Sequence, residues 1–227
     1  MSTKPRIILI HALQQSQGPT LQAFAEAWPE AETFNLMDDS LSADLAAGAD
    51  ATQIQERFLT LSRYAAASGT AQRPTAGILF TCSAFGPAIE HAQRQLDLPV
   101  LKPNEAAFEA ALVVGSRIGL MVTFAAALAP LANELQAMAQ RQGRTIDIVP
   151  VVADGALAAL QRGDGAQHDA LAAQAAEQIP SVDVLVLCQF SLARAYSAVE
   201  RACGYHVITT PQSAVKKLRH MIERPDA

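Results

Sequence analysis

Short apolar runs recur along the chain, separated by longer stretches in which apolar positions return every three or four residues. The runs Arg6–His11, Thr33–Met37, Gly77–Thr81, Arg117–Thr123, Thr145–Val151, Asp183–Leu187 and His206–Thr209 are rich in Ile, Val and Leu and lack strict alternation with polar residues. That pattern predicts strands covered by helices on both faces. The stretches between them predict helices over Thr20–Trp28, Ala51–Ala67, Pro87–Leu96, Asn104–Val113, Ala125–Gln142, Asp154–Gln161, Ala166–Ile179, Leu192–Cys203 and Gln212–Ile222. Asp38–Asp50, Gly69–Pro74 and Gly163–Gly165 read as loops. Strands and helices in this alternation predict an α/β fold with mostly parallel sheets.

The pattern also repeats. Ala76-Gly-Ile-Leu-Phe-Thr-Cys82 and Val182-Asp-Val-Leu-Val-Leu-Cys188 are apolar strands that end in cysteine, each followed by a turn that opens a helix. Each segment then continues into a short strand and a proline-started helix, through Pro99-Val-Leu-Lys-Pro103 and through His206-Val-Ile-Thr-Thr-Pro211. Upstream, Arg6-Ile-Ile-Leu-Ile resembles Arg117-Ile-Gly-Leu-Met. The repeat predicts two similar, pseudo-symmetric α/β lobes, 1–113 plus 211–227 and 114–210, each placing a cysteine at one structural point. Parallel sheets bind ligands beyond the carboxyl ends of their strands. The active site is therefore expected in the cleft between the lobes, with Cys82 and Cys188 on opposite sides.

Charge and composition narrow the function. Lys and Arg number 17 against 22 Asp and Glu, a formal net charge of −5 that speaks against nucleic-acid binding. No apolar run approaches the ~20 residues of a membrane span, and Ile7–Ile10 is too short for a signal core. A cytoplasmic protein with no membrane partner is expected. Three cysteines fit a reducing compartment, and none is spaced with His or Cys as in a zinc site.

A thiol at a helix N-terminus meets unpaired N–H groups that favour thiolate. Cys82 and Cys188 are accordingly the candidate acid/base pair, one removing a proton from an α-carbon while the other returns one. The N–H groups after each cysteine, with His11, Thr81, Ser83, Ala84, Thr123, Gln189, Thr209 and Thr210, are the candidates for binding the substrate carboxylate and a developing enediolate. His11 reads equally as a structural histidine, and Thr209 and Thr210 equally as helix caps. Cys203, in the turn Ala202-Cys-Gly204, reads as structural.

Phe80-Thr-Cys82-Ser-Ala-Phe-Gly86, Gly119-Leu-Met-Val-Thr123 and Leu187-Cys188-Gln-Phe-Ser-Leu-Ala193 together resemble the aspartate/glutamate/hydantoin racemase superfamily, which includes arylmalonate decarboxylases and maleate isomerases. The resemblance runs from Arg6 through Pro211. It implies two flavodoxin-like lobes and a cofactor-independent racemase or epimerase of an amino acid or related acid, needing no metal or pyridoxal group and frequently forming homodimers. Decarboxylation or cis–trans isomerisation of a small dicarboxylate, and non-catalytic ligand binding, are the alternatives. The chain departs from the amino-acid racemases in having His11 and Gln14 after the first strand and Gln189 directly after Cys188.

Overall fold

The computed structural model describes residues 4–224. One compact unit comprises the chain up to Pro103 together with the stretch from Ala214 onward; Asn104–Ser213 forms the other.

In the first unit, β1 (Arg6–His11) pairs in parallel with β2 (Glu32–Met37) on one side and with β4 (Arg73–Phe80) on the other. The two-residue β5 (Val100–Leu101) pairs in parallel with β4, and β3 (Gly69–Thr70) runs antiparallel to its first residues. Gly69–Pro74, expected as a loop, is thus a small hairpin. Gly69 sits at φ +103, and a Cβ there would lie 2.4 Å from the Arg73 carbonyl, so only glycine closes this turn.

Helices α1 (Gln17–Ala27), α2 (Ser40–Ala46), α3 (Ala51–Ala67) and α4 (Gly86–Gln93) belong to this unit. Gly18 and Pro19 do not prevent α1, because proline is tolerated in a first turn. The Asp50 carboxylate caps α3 by accepting the N–H of Thr52 at 2.8 Å. Ile54, Phe58, Leu59, Ser62 and Ala65 then fall on the buried face of α3, and Phe58 stacks on Phe80 with ring centroids 5.1 Å apart. α2 replaces an expected loop. Its polar sequence hides one buried anchor, Leu41, while Arg57 of α3 bonds both Asp38 and Asp44 and so ties the segment down from outside.

In the second unit β6 (Arg117–Val122) lies between β7 (Asp147–Val152) and β8 (Val184–Leu187), and β9 (His206–Thr209) extends the sheet beyond β8; every pairing is parallel. Pro150 is accommodated because β7 is an edge strand. The helices are α5 (Glu105–Val114), α6 (Leu128–Arg141), α7 (Ala156–Gln161), α8 (Gly165–Glu177), α9 (Tyr196–Cys203) and α10 (Thr210–Glu223), which ends in the first unit. Short 3-10 turns precede α6 and α9 where continuous helix is expected from sequence. Alternate β8 residues serve two cores. Val184 and Val186 pack with Phe108, Leu112, Leu131 and Leu135 of α5 and α6, whereas Leu185 and Leu187 pack with Ala172 of α8 and Val199 of α9.

In chain order, the parallel strands of both units run second, first, third, fourth across the sheet. This is the flavodoxin-like start, with a switch point between the first and third strands. The expected two-lobed parallel α/β architecture is what the chain adopts. In the first unit α10 lies flush on β4: a Cβ on Gly77 would sit 2.8 Å from Ile222 and 3.2 Å from Leu218.

Candidate active site

Most candidates lie at the carboxyl ends of the first and third strands of each unit, while Thr209 and Thr210 lie at the end of the fourth strand of the second unit. In the first unit β1 ends at His11 and β4 runs into Thr81 and Cys82. His11 is fully buried, with Nδ1 2.8 Å from Thr81 Oγ1 and Nε2 2.9 Å from Asn35 Oδ1. With the Asn35 carbonyl accepting, Nε2 carries the proton and Nδ1 accepts the Thr81 hydroxyl. Burial holds the imidazole below its usual pKa, the Asn35 bond opposing this only in part. His11 is therefore a neutral brace that ties three strands together. Asn35, which sequence reasoning passed over, was detectable as a polar residue inside an otherwise apolar strand segment.

Cys82 follows Thr81 and caps the 3-10 turn Ser83–Phe85. Its side chain is half-buried, as is that of Ser83, while Ala84 is exposed. The Ala84 N–H bonds to the sulfur and favours thiolate, but burial outweighs it and pushes the thiol from its usual 9.0 up to about 11. The expected thiolate is corrected here: at neutral pH Cys82 is a thiol, because one N–H does not replace the water that burial removes.

The second unit places its cysteine differently. Ile10 pairs with Phe80 and Met121 with Leu187 at the ends of the corresponding ladders. The next residue donates its N–H back to the first strand in each case, Thr81 to the Ile10 carbonyl and Cys188 to the Met121 carbonyl. The residue after that caps a 3-10 turn, Cys82 before Ser83–Phe85 and Gln189 before Phe190–Ala195. Cys188 thus matches Thr81, and Gln189 matches Cys82. A one-residue offset in a strand turns a side chain to the opposite face. The Cys188 sulfur has no exposed surface, packs in the core beneath α5 and α6, and donates to the Val186 carbonyl at 3.4 Å. Burial drives its pKa strongly upward. The two cysteines do not occupy one structural point, as the repeat predicts. The signal was present: cysteine is itself apolar, so the β8 run includes Cys188 and its first polar residue is Gln189.

Thr123, buried, and Gln189, partly buried, form the polar strand-end pair of the second unit. The backbone N–H and the hydroxyl of Thr123 both donate to Gln189 Oε1, each at 2.7 Å. Phe124 beside them is 39 % exposed, a large apolar side chain at a strand end. Thr209 is buried, and its hydroxyl has no partner among the described residues. Thr210 is buried too, and its hydroxyl donates to the Leu187 carbonyl at 3.2 Å, tying α10 to β8. Cys203 is partly buried against the α8–α9 core.

A family model described as Asp/Glu/Hydantoin racemase matches residues 19–218. The chain belongs to that family. Among solved structures, this family member is similar to a glutamate racemase isoform from Bacillus anthracis, with 13% identity and a TM-score of 0.74 over 99% of this chain and 84% of the other. It is also similar to an allantoin racemase from Pseudomonas fluorescens, with 17% identity and a TM-score of 0.72 over 96% and 91% of the two chains. A cysteine-substituted mutant of arylmalonate decarboxylase matches with 15% identity and a TM-score of 0.66, over 97% and 94%. No curated protein matches by sequence. At these identities the neighbours establish the racemase-family fold; the reaction has to be argued from the strand ends. No helix among the described residues is long and apolar enough to cross a membrane.

Proposed function

We propose that the protein is a cofactor-independent enzyme that transfers a proton at the α-carbon of a small α-substituted carboxylic acid, with the Cys82 thiol as proton carrier. The observation behind this reading is the register: Cys82 stands at the family strand end of the first unit, and the matching position of the second holds Gln189, which carries no acidic proton. A single thiol, protonated at rest, suits proton delivery better than two-base inversion. In an α-substituted malonate, one carboxylate leaves as carbon dioxide and its bonding pair passes to the α-carbon as an enediolate. The Cys82 S–H then protonates that carbon, and the thiolate recovers a proton from water. Donors at the strand ends, among them the Ser83 hydroxyl and backbone N–H groups of the turns, stabilise the enediolate.

Racemisation or epimerisation of an amino acid or related acid is the second reading, favoured by family membership itself. In it Cys82 removes the proton, and a different group returns one to the other face.

Incubating the protein in deuterated water with substituted malonates, amino acids and hydantoins, followed by NMR, tests both. One deuteron at the α-carbon accompanied by carbon dioxide supports decarboxylation; exchange with loss of optical rotation supports racemisation. Cys82→Ala should lower kcat about a hundred- to ten-thousandfold, the range for loss of a proton-transfer group. Cys188→Ala should keep kcat within about twofold while costing about 1 kcal/mol of stability. Loss of turnover in Cys188→Ala at retained folding would overturn the single-thiol reading.

A further inference from the structure

The side chain of Gln189 is held in one orientation. A backbone N–H can only donate, so the Gln189 atom that meets the Thr123 N–H at 2.7 Å is the carbonyl oxygen. The Thr123 hydroxyl reinforces the same choice. Nε2, which carries two donors, is therefore the end left over. It has no protein partner among the described residues, and the residue is only partly buried.

We infer that Gln189 is a fixed hydrogen-bond donor for a substrate carboxylate oxygen. The inference rests on the carboxylate-directed function proposed above and names a residue that recognises the acid. Thr123 fixes the amide before any ligand arrives, which lowers the ordering cost of binding. Its two N–H groups match a carboxylate acceptor, and bonds to a charged partner are the stronger kind. An amide does not titrate in the physiological range, so this contact holds its donor character at every pH at which the protein is folded.

Calorimetric titration with malonate, phenylmalonate and aspartate, and with malonamide as the neutral control, tests this without requiring turnover. In Gln189→Glu, one oxygen still accepts both Thr123 donors, but the former Nε2 becomes a negatively charged acceptor. The wild-type chain should bind at least one of the carboxylates more tightly than malonamide. Gln189→Glu should weaken that binding about 10- to 100-fold, the range expected for loss of a charge-assisted bond, with an unchanged thermal midpoint. Thr123→Ala, which frees the amide, should weaken it by a smaller factor. If Gln189→Glu fails to fold, Gln189→Leu replaces it, and removal of the donor should again cost affinity. Affinity within twofold of wild type in the folded variant, or no carboxylate binding by the wild-type chain, overturns the inference. Carboxylate binding that depends on Gln189 without any turnover would retain it and reject the reaction; turnover that depends on Cys82 with binding indifferent to Gln189 would do the reverse.

Discussion

At Cys82 two effects compete, the Ala84 N–H that stabilises negative sulfur and the burial that penalises it, and burial is the larger. A thiol whose pKa is raised on folding keeps its proton longer in the native state than in the unfolded chain. Between pH 9.0 and about 11 the native state therefore binds more protons, and stability falls as pH rises through that window. Well below pH 9 the contribution is constant. Alkylation by iodoacetamide reads the same equilibrium: at pH 8 Cys82 should react about a hundredfold more slowly than a free cysteine, and its rate should climb until about pH 11. Mass spectrometry of the labelled peptide checks this, and a rate at pH 8 equal to or above that of free cysteine would contradict it. Cys188, enclosed beneath α5 and α6, should stay unlabelled while the protein is folded.

Both thiols were legible in the sequence as strand-end residues, but the face each would occupy was not. Facing depends on ladder register, and the repeat can be aligned on the cysteines or on the ends of the apolar runs with nearly equal ease. The ladder register and the hydrogen bonds from Thr81 and Cys188 back to the neighbouring strand separate the two alignments. His11 was similarly half-visible. Its place at the end of β1 follows from the apolar run, whereas its engagement by Thr81 and Asn35 comes from strands distant in sequence.

Among the elements, the helix with the clearest local signals was read to the residue. α3 begins after an aspartate that accepts two N–H bonds and carries its apolar residues at helical spacing throughout. Asp50→Ala should lower stability by about 1 kcal/mol, the usual cost of losing such a cap, measurable by urea unfolding. No change in the urea midpoint would mean that the end of α3 is held by packing alone. α2 escaped the sequence reading because its stability is not local. It is a short helix with one buried apolar anchor, held by Arg57 from the next helix and by a bond from the Ser42 hydroxyl to the Ala12 carbonyl. Periodicity has little to report over seven residues when the restraints come from elsewhere.

For the whole molecule, the parallel pairing in both sheets followed from the alternation of short apolar runs with helical stretches, whereas the order of the strands came only with the structure. Where the chain divides depends on packing instead, and Asn104 begins the second unit although β5 ends only three residues earlier. The first unit is built from two separated stretches, since Ala214, Val215 and Leu218 of α10 are fully buried and lie in the segment that returns to it. A chain ending at Ser213 should expose the apolar face of β4 around Gly77, bind a hydrophobic dye and melt at lower temperature; an unchanged thermal midpoint would show α10 to be dispensable.

That arrangement has a consequence for biogenesis. Every strand of the first unit leaves the ribosome before any strand of the second, yet the helix that closes over Gly77 is translated after all of them. The unit begun first must wait until the whole second unit has been made before its apolar surface is sealed, while the second unit is contiguous and can mature as it emerges.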